Sequence, residues 1–510
     1  MNDEQRTTYR FGPIERHGLL GPVRGSQAVA MIAAVIGAVA IVDRLPDAVG
    51  AALAISLVAG AIGLVTAPIA GRSVDAWAPL AVDYLLRRAQ RRVRHRSRAP
   101  QDGSRSPSSA AATDRARVSA SGRRRSLPTA LRDVELIEIE HDSVRVGAAC
   151  ELGGRRLTGA LACRVEGFAL LDPPAQERRL AHWGTLLSST ADTTVRRLQW
   201  IERTAPAQTD ELARWLHRAR DPAIPPRGAP IVESYIELIS SGAAVTHAHE
   251  VLLVLQVDGG RSRGRGRAPD TARVALVEQL ERFARGLESA EVGVLGALSV
   301  SQLSRALRTA FDPYAGSELT ALETAERGYG GARQSAARTA DASPIAAEES
   351  WEHYRCDGAL HATYWVANWP RTEVAATFLD PLLGNSQTVR TMAVTLEPIS
   401  PARSTREVEA AITRDRADSE LRRRFGQSET ARHRQVHEAA RRREAELAAG
   451  HGEVRLTGFA TVSGRDRREL RQACDELVQQ AARARIELRR MYGQQAEAFT
   501  FTLPLARGLR

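Results

Sequence analysis

The chain has 510 residues, a net charge of +11 and 71 basic residues, every one of them arginine, because lysine does not occur. That absence excludes a phosphate-binding P-loop, whose lysine must reach the β- and γ-phosphates, and lysine Schiff-base chemistry. The cysteines, Cys150, Cys163, Cys356 and Cys474, are scattered without C-x-x-C spacing, which argues against structural zinc and for reduced, buried thiols.

The length predicts two or three domains. Abundant alanine and glycine beside an all-arginine basic set point to a GC-rich coding bias, so arginine density alone is a weak sign of nucleic-acid binding. Residues 1–98 dominate the organisation. Gly25–Val42 carries no charge, and about 18 residues rising ~1.5 Å each would reach across a hydrocarbon core. Asp43-Arg44-Leu45-Pro46-Asp47 forms a turn, and Ala48–Gly71 is a second uncharged run. The pattern predicts a transmembrane helical hairpin in the lipid bilayer. Arginines flanking both outer ends place the protein in the cell membrane with two spans and both termini cytoplasmic. The alternative is a buried hairpin within a soluble fold. Next, Ser73–Arg88 repeats apolar residues at helical spacing. Trp77 and Tyr84 beside Arg87, Arg88, Arg91 and Arg92 suit a membrane interface. The alternative is the first helix of the soluble part.

Residues 99–130 are rich in Ser, Arg, Ala, Gly and Pro and read as a flexible linker. Residues 131–314 read as a cytoplasmic α/β domain. Its strands are predicted at Val134–Ile139, Val144–Ala149, Leu157–Val165, Val195–Ile201, Glu250–Val257 and Val292–Leu295. Helices are predicted after Asp172-Pro173-Pro174, near Asp210–Ala219, at Ile231–Ile239, at Thr271–Leu287 and after a Ser299–Gln302 capping box. The loop Asp258–Arg267 carries Arg261, Arg263, Arg265 and Arg267, candidates for nucleic-acid or partner contact. Residues 315–350 read as a second linker.

Residues 351–510 read as an α+β domain. Strands are expected at His361–Ala367, Thr388–Pro398, Glu453–Val462, Ile486–Arg490 and Phe499–Leu503, with helices at Thr372–Leu383 and Asp466–Ala484. The order suggests a ferredoxin-like sheet with one extra strand. Residues 404–449 are mostly charged and helix-prone, with sparse apolar positions, and read as a protruding helical hairpin inserted between two strands. The fold class expected for the chain is α+β: a transmembrane hairpin, then cytoplasmic α/β domains, the last ferredoxin-like with that insertion.

Little points to catalysis. His247 and His249 share one face of a strand, as in some zinc sites, but no third ligand is near in sequence. Gly328–Arg333, GYGGAR, has neither the preceding strand nor the following helix of a phosphate loop. Asp172 and Glu177 sit in an ordinary helix start. No G-x-S-x-G or H-E-x-x-H occurs, so no enzyme activity, cofactor or metal is expected.

The N-terminal TTYRFGPIERHGLLGPVRGSQ, the two apolar runs and GRSVDAWAPLAVDYLLRR together resemble the PrgI-like membrane subunits of Gram-positive conjugation machinery. RRLTGALACRVEGFALLDPPAQERRLAHWGTLLS, SYIEL, HEVLLVLQVD, LGALSVSQLSRALRTAFDP and AFTFTLPLARGLR resemble the N-terminal, non-ATPase region of type IV secretion ATPases. The family's nucleotide motifs should follow the Leu-Pro-Leu segment, but Leu503-Pro504-Leu505 lies close to the last residue, so no catalytic residue carries over. The composite also resembles actinobacterial membrane proteins encoded with conjugation-type ATPases. These resemblances imply an inner-membrane scaffold that docks a separate ATPase and other membrane subunits of a secretion complex, with self-association into a homo-oligomer compatible. The alternative is a membrane-tethered nucleic-acid-binding protein assisting DNA transfer.

Overall fold

A computed structural model describes residues 25–66, 68–69, 72–97, 127–206, 234, 247–261, 268–315, 342–384, 388–424, 431–448 and 452–509, apart from Ser143, Glu166 and Asp192. Helices α1 (Gly25–Arg44) and α2 (Ala48–Thr66) pack as an antiparallel pair. They are followed by the two-residue strands β1 (Pro68–Ile69) and β2 (Arg72–Ser73), which pair with each other, then by α3 (Val74–Ala89) and β3 (Arg94–Arg96).

The expectation of two membrane spans is corrected here: among the described residues no helix is long and apolar enough to cross a membrane. In α1 the polar Ser26 and Gln27 at one end and Asp43 and Arg44 at the other leave an apolar stretch of only Ala28–Val42. Fifteen or so residues give roughly 22 Å, short of a hydrocarbon core of about 30 Å. The run Ala48–Gly71 is not one helix either. It stops at Thr66, and Pro68, which has no N–H to continue the ladder, enters a small hairpin instead. The transmembrane assignment, the cell-membrane location and the cytoplasmic placing of the termini therefore lose their support.

The expected separate α/β domains are corrected as well. Among the described residues they form one antiparallel sheet of 13 strands. Its first half holds β4 (Glu135–His141), β5 (Val144–Glu151), β6 (Arg156–Arg164), α4 (Pro173–Ser188), β7 (Val195–Pro206), β8 (His247–Asp258), α5 (Ala268–Ser289), β9 (Gly293–Ala297) and α6 (Val300–Phe311). The second half holds β10 (Ala346–Glu349), β11 (Tyr354–Cys356), β12 (Ala359–Asn368), α7 (Asp380–Leu383), β13 (Val389–Ile399), α8 (Pro401–Arg424), α9 (Ala431–Ala448), β14 (Glu453–Gly464), α10 (Arg467–Arg483), β15 (Glu487–Arg490) and α11 (Gln495–Thr500).

The halves repeat one topology. Strands run β9-β6-β8-β7 in the first and β15-β12-β14-β13 in the second, each preceded by a hairpin that lengthens the sheet outward. The ferredoxin-like sheet expected over residues 351–510 is thus continuous with the first half. The seam is β7 against β13, in register from Leu198↔Leu396 to Thr204↔Arg390. At the outer edge β3 pairs with β10, so a segment from residues 94–96 completes the second half.

Strand alternation sorts the buried residues onto two faces. On one face, Leu276, Leu280, Phe283 and Leu287 of α5 recur at helical spacing and pack on Leu157, Leu161, Leu253 and Leu255. The α10 residues Leu470, Cys474 and Leu477 do the same over Ala362, Tyr364 and Val366. Phe283 is wholly buried, and its loss to alanine would cost about 3–5 kcal/mol. The opposite face carries α6, α11 and the last residues, whose Phe311, Phe499, Leu503 and Leu505 share one core with Ile201, Leu252 and Ala393. Helix α6 lies so close over β5 that a Cβ on Gly147 would meet the Ser299 carbonyl carbon at 2.5 Å. Its start is held by the Ser299 hydroxyl, which accepts from the Gln302 N–H, while the Gln302 side chain accepts from the Ser299 N–H. The predicted final strand Phe499–Leu503 is instead the end of α11 and a series of turns. Phe-Thr-Phe-Thr-Leu mimics a strand's alternation, but its N–H groups bond locally, Phe501 to Ala498 and Thr502 to Phe499, and the Phe501 carbonyl accepts from Gln199 of the sheet.

Candidate docking site

Helices α8 and α9 leave the sheet between β13 and β14 and pack on each other. Pro401 opens α8, where a missing N–H costs nothing. A compact ionic knot fixes the base of the pair. The fully buried Ser404 hydroxyl donates to Glu453, whose carboxylate also pairs with Arg443 of α9. Glu407 accepts from Arg403 at 2.8 Å and lies 3.8 Å from Arg443 and 3.7 Å from Arg455. Val408 is buried beneath them. Beyond this base both helices are dominated by Arg, Glu and Ala, and Glu409, Glu420, Arg441, Arg442 and Glu444 face solvent. Such helices offer dense charge of both signs and little apolar surface.

A second polar cluster lies at the junction of the halves. Thr204 on β7 stands directly opposite His249 on β8 and Arg390 on β13, and Glu202 is two residues along the same strand face. The Thr204 hydroxyl and His249 Nδ1 are 3.2 Å apart, and His249 Nδ1 lies 3.8 Å from Glu202. Arg390, itself buried, donates to Gln480 of α10 at 2.6 Å and to the Gly384 carbonyl at 2.8 Å. Burial pushes the Glu202 carboxyl up to about 7, against the opposing charge of Arg390. The cluster therefore changes charge near neutral pH.

The opposite face holds a line of buried polar side chains. Gln199 donates to the Phe501 carbonyl at 2.7 Å and accepts from the Ala506 N–H at 2.8 Å. Gln256 reaches the Leu505 carbonyl at 3.4 Å, and Thr395 donates to the Arg507 carbonyl at 3.1 Å. Arg507 closes the line on Glu151 and the Ala130 carbonyl. This line binds the chain's own last residues across both halves and is spoken for structurally.

The residues expected at a membrane interface lie on the protein body. Trp77 is 5.9 Å from Trp351 and 5.6 Å from Tyr492, ring centre to ring centre, and the buried Tyr84 meets Trp351 edge-on at 5.2 Å. Arg87 donates to Glu349 and to the Gly493 carbonyl, each at 2.5 Å. Burial raises the Glu349 carboxyl and Arg87 opposes that shift. Arg88, Arg91 and Arg92 are exposed. Of the loop arginines, Arg261 ends a short turn, Gly259–Arg261, after β8. Arg263, Arg265 and Arg267 lie outside the described residues, as do GYGGAR and the helices expected near Asp210–Ala219 and Ile231–Ile239, of which Ser234 alone is described. His247 and His249 open β8, and among the described residues no group of three or more His, Cys, Asp or Glu is placed to hold a metal. Cys163, Cys356 and Cys474 are buried thiols and Cys150 is half-buried.

Sequence reasoning missed Glu202, Arg390, Gln199 and Trp351. Gln199 had a signal, a neutral polar residue set between Leu198 and Trp200 in an apolar strand; the other three needed the cross-strand pairing. No family model matches this chain, and no curated protein matches it.

Proposed function

We propose that this chain is a docking subunit of a type IV secretion or conjugation-like complex, recruiting a separate ATPase through α8 and α9. The observation that carries the reading is the helix pair itself, a charged projection rooted by the Ser404–Glu407–Arg443–Glu453 knot in a broad sheet. A rigid root with an outward, mixed-charge surface suits steering and register in a protein complex more than burial in a core. The resemblance of the flanking segments to the non-ATPase region of secretion ATPases supports the choice of partner.

Nucleic-acid binding is the second reading, favoured by the net charge of +11. Against it, Arg403, Arg443 and Arg455 at the root are already matched by carboxylates.

The test replaces residues 412–438 by a short Gly/Ser linker, leaving Val408, Glu407 and Arg443 in place. Loop closure changes slowly with length, so the sheet should fold unaltered by circular dichroism. Co-purification with the conjugation-type ATPase should be lost. A folded deletion that still captures the ATPase would remove the arm from the interface. DNA binding whose affinity falls steeply with salt, lost in the same deletion, would favour the second reading.

A further inference from the structure

One end of the sheet concentrates unmatched positive charge. Asp258, the last residue of β8, is buried, and three guanidiniums gather on it. Arg155 Nε donates to its carboxylate at 3.0 Å. Arg156, its cross-strand partner on β6, lies 3.6 Å away. A bulge in β7 between Val195 and Arg197 brings Arg196 to 3.7 Å. The last two distances are too long for hydrogen bonds. Among the described residues, Arg156 Nε is buried with no hydrogen-bond partner. So is the hydroxyl of Thr194, whose carbonyl accepts from the Asp258 N–H at 3.2 Å. Neighbouring carboxylates are already engaged: Glu397 lies 3.7 Å from Arg197, and Glu151 accepts from Arg507 at 2.9 Å. Three positive charges therefore share one negative charge. Burial, then repulsion from Arg156 and Arg197, lowers the pKa of Arg196.

We propose that this cluster binds a phosphate dianion, free or on a small ester. A dianion cancels the whole surplus of Arg155, Arg156 and Arg196 over Asp258, where a lone carboxylate would leave half of it. Guanidiniums offer planar N–H forks that match phosphate oxygens. The side chains of Arg155, Arg156 and Arg196 are 57%, 30% and 29% exposed, so an anion reaches them from solvent without opening the fold. The turn Gly259–Arg261 keeps the cluster in shape. The Gly260 N–H donates to Asp258 Oδ1 at 3.0 Å, and a Cβ at this position would fall 2.4 Å from Arg155 Nη2. Any side chain at 260 would push the Arg155 guanidinium aside.

The experiment titrates the full-length chain with inorganic phosphate by calorimetry, at constant ionic strength and about pH 8, where the dianion dominates. Binding should saturate at one ion per chain with a dissociation constant below about 1 mM. The double variant Arg156→Gln, Arg196→Gln should weaken it at least about 30-fold, through the loss of two charge-assisted contacts. Gly260→Ala keeps every arginine but displaces Arg155, and should weaken it about 3–10-fold. Arg88→Gln, Arg92→Gln, at exposed arginines at and just after the end of α3, should change nothing. Glycerol 3-phosphate titrated in parallel separates the two sources: tighter binding than inorganic phosphate assigns the site to an ester, weaker binding to the free ion. Absence of saturation by 10 mM phosphate overturns the proposal, as does displacement by chloride at equal ionic strength. Affinity unchanged in a natively folded double variant also overturns it. Should that variant fail to fold, Gly260→Ala decides alone, and wild-type affinity there overturns the proposal.

Discussion

Two buried groups set opposing pH dependences. His361 is fully buried; its Nε2 faces the Phe311 carbonyl at 2.9 Å and its Nδ1 the Ser463 hydroxyl at 2.8 Å. A carbonyl only accepts, so Nε2 carries the proton and Nδ1 accepts from Ser463. Burial lowers this histidine from 6.5 to about 4, despite the Phe311 carbonyl. The unfolded chain therefore binds the extra proton first, and stability is lost as pH falls from 6.5 towards 4. Glu202, raised from 4.5 to about 7, works the other way: the folded chain keeps its proton longer, and stability is lost as pH rises through that window. The two slopes oppose each other and largely cancel between pH 5 and 6.5. Glu202→Gln should unmask the histidine, so that urea-derived stability relative to wild type grows by about 1–3 kcal/mol between pH 5 and 8. His361→Asn should unmask the glutamate, with the opposite trend. A Glu202→Gln difference that is flat with pH would show that the carboxyl titrates normally. Neither residue was legible beforehand as a titrating group. Glu202 sits in an ordinary Ile-Glu-Arg strand sequence, and only the packing over β7 and β13 removes its water.

At the scale of elements, α3 shows how one sequence pattern supports two readings. Trp77, Tyr84 and a following arginine cluster suit a lipid interface or a domain surface equally. What decides is Trp351 and Tyr492, hundreds of residues downstream, which no local periodicity connects to α3. Trp351→Ala should cost about 2–4 kcal/mol at this joint. Hydrogen exchange should then report faster opening of Val74–Ala89 and of β3, while β6, β7 and β8 keep their protection. Equal loss everywhere would mean that α3 is integral to the sheet's cooperative unit. Other elements were plain in the sequence. Glu250–Val257, with its unbroken apolar run Val251–Leu255, became the central part of β8, and Ser299-Val300-Ser301-Gln302 announced α6. The predicted helix at Thr372–Leu383 shrank to Asp380–Leu383, because Asp380-Pro381 favours a helix start and resists a helix interior.

The molecule as a whole is two similar halves fused at β7 and β13. That fusion was not legible, since the pairing of residues 198–204 with 390–396 has no local signal. The segment from Phe501 to Arg507 ties the fusion from the opposite face, touching β7 through Gln199, β8 through Gln256 and β13 through Thr395. Removing residues 501–509 takes away the buried Phe501, Leu503 and Leu505, each worth about 1.5–3 kcal/mol of burial, and bares the core they cover. That is comparable with the whole stability of a typical fold, about 5–15 kcal/mol. The truncated chain should therefore lose the signals of both halves together in thermal melts followed by circular dichroism. A truncation that merely lowers the melting temperature by a few degrees would show that the halves stand without it.

The same arrangement sets a timetable. Gln199 finds its carbonyl partner 302 residues further along the chain. At about 5–20 residues per second, a ribosome needs roughly 15–60 s to deliver it. Throughout that interval the nascent protein holds an amide and an apolar surface with nothing laid over them. Slow translation would prolong this vulnerable state, and a chaperone acting on it would engage the chain before residues 495–507 emerge.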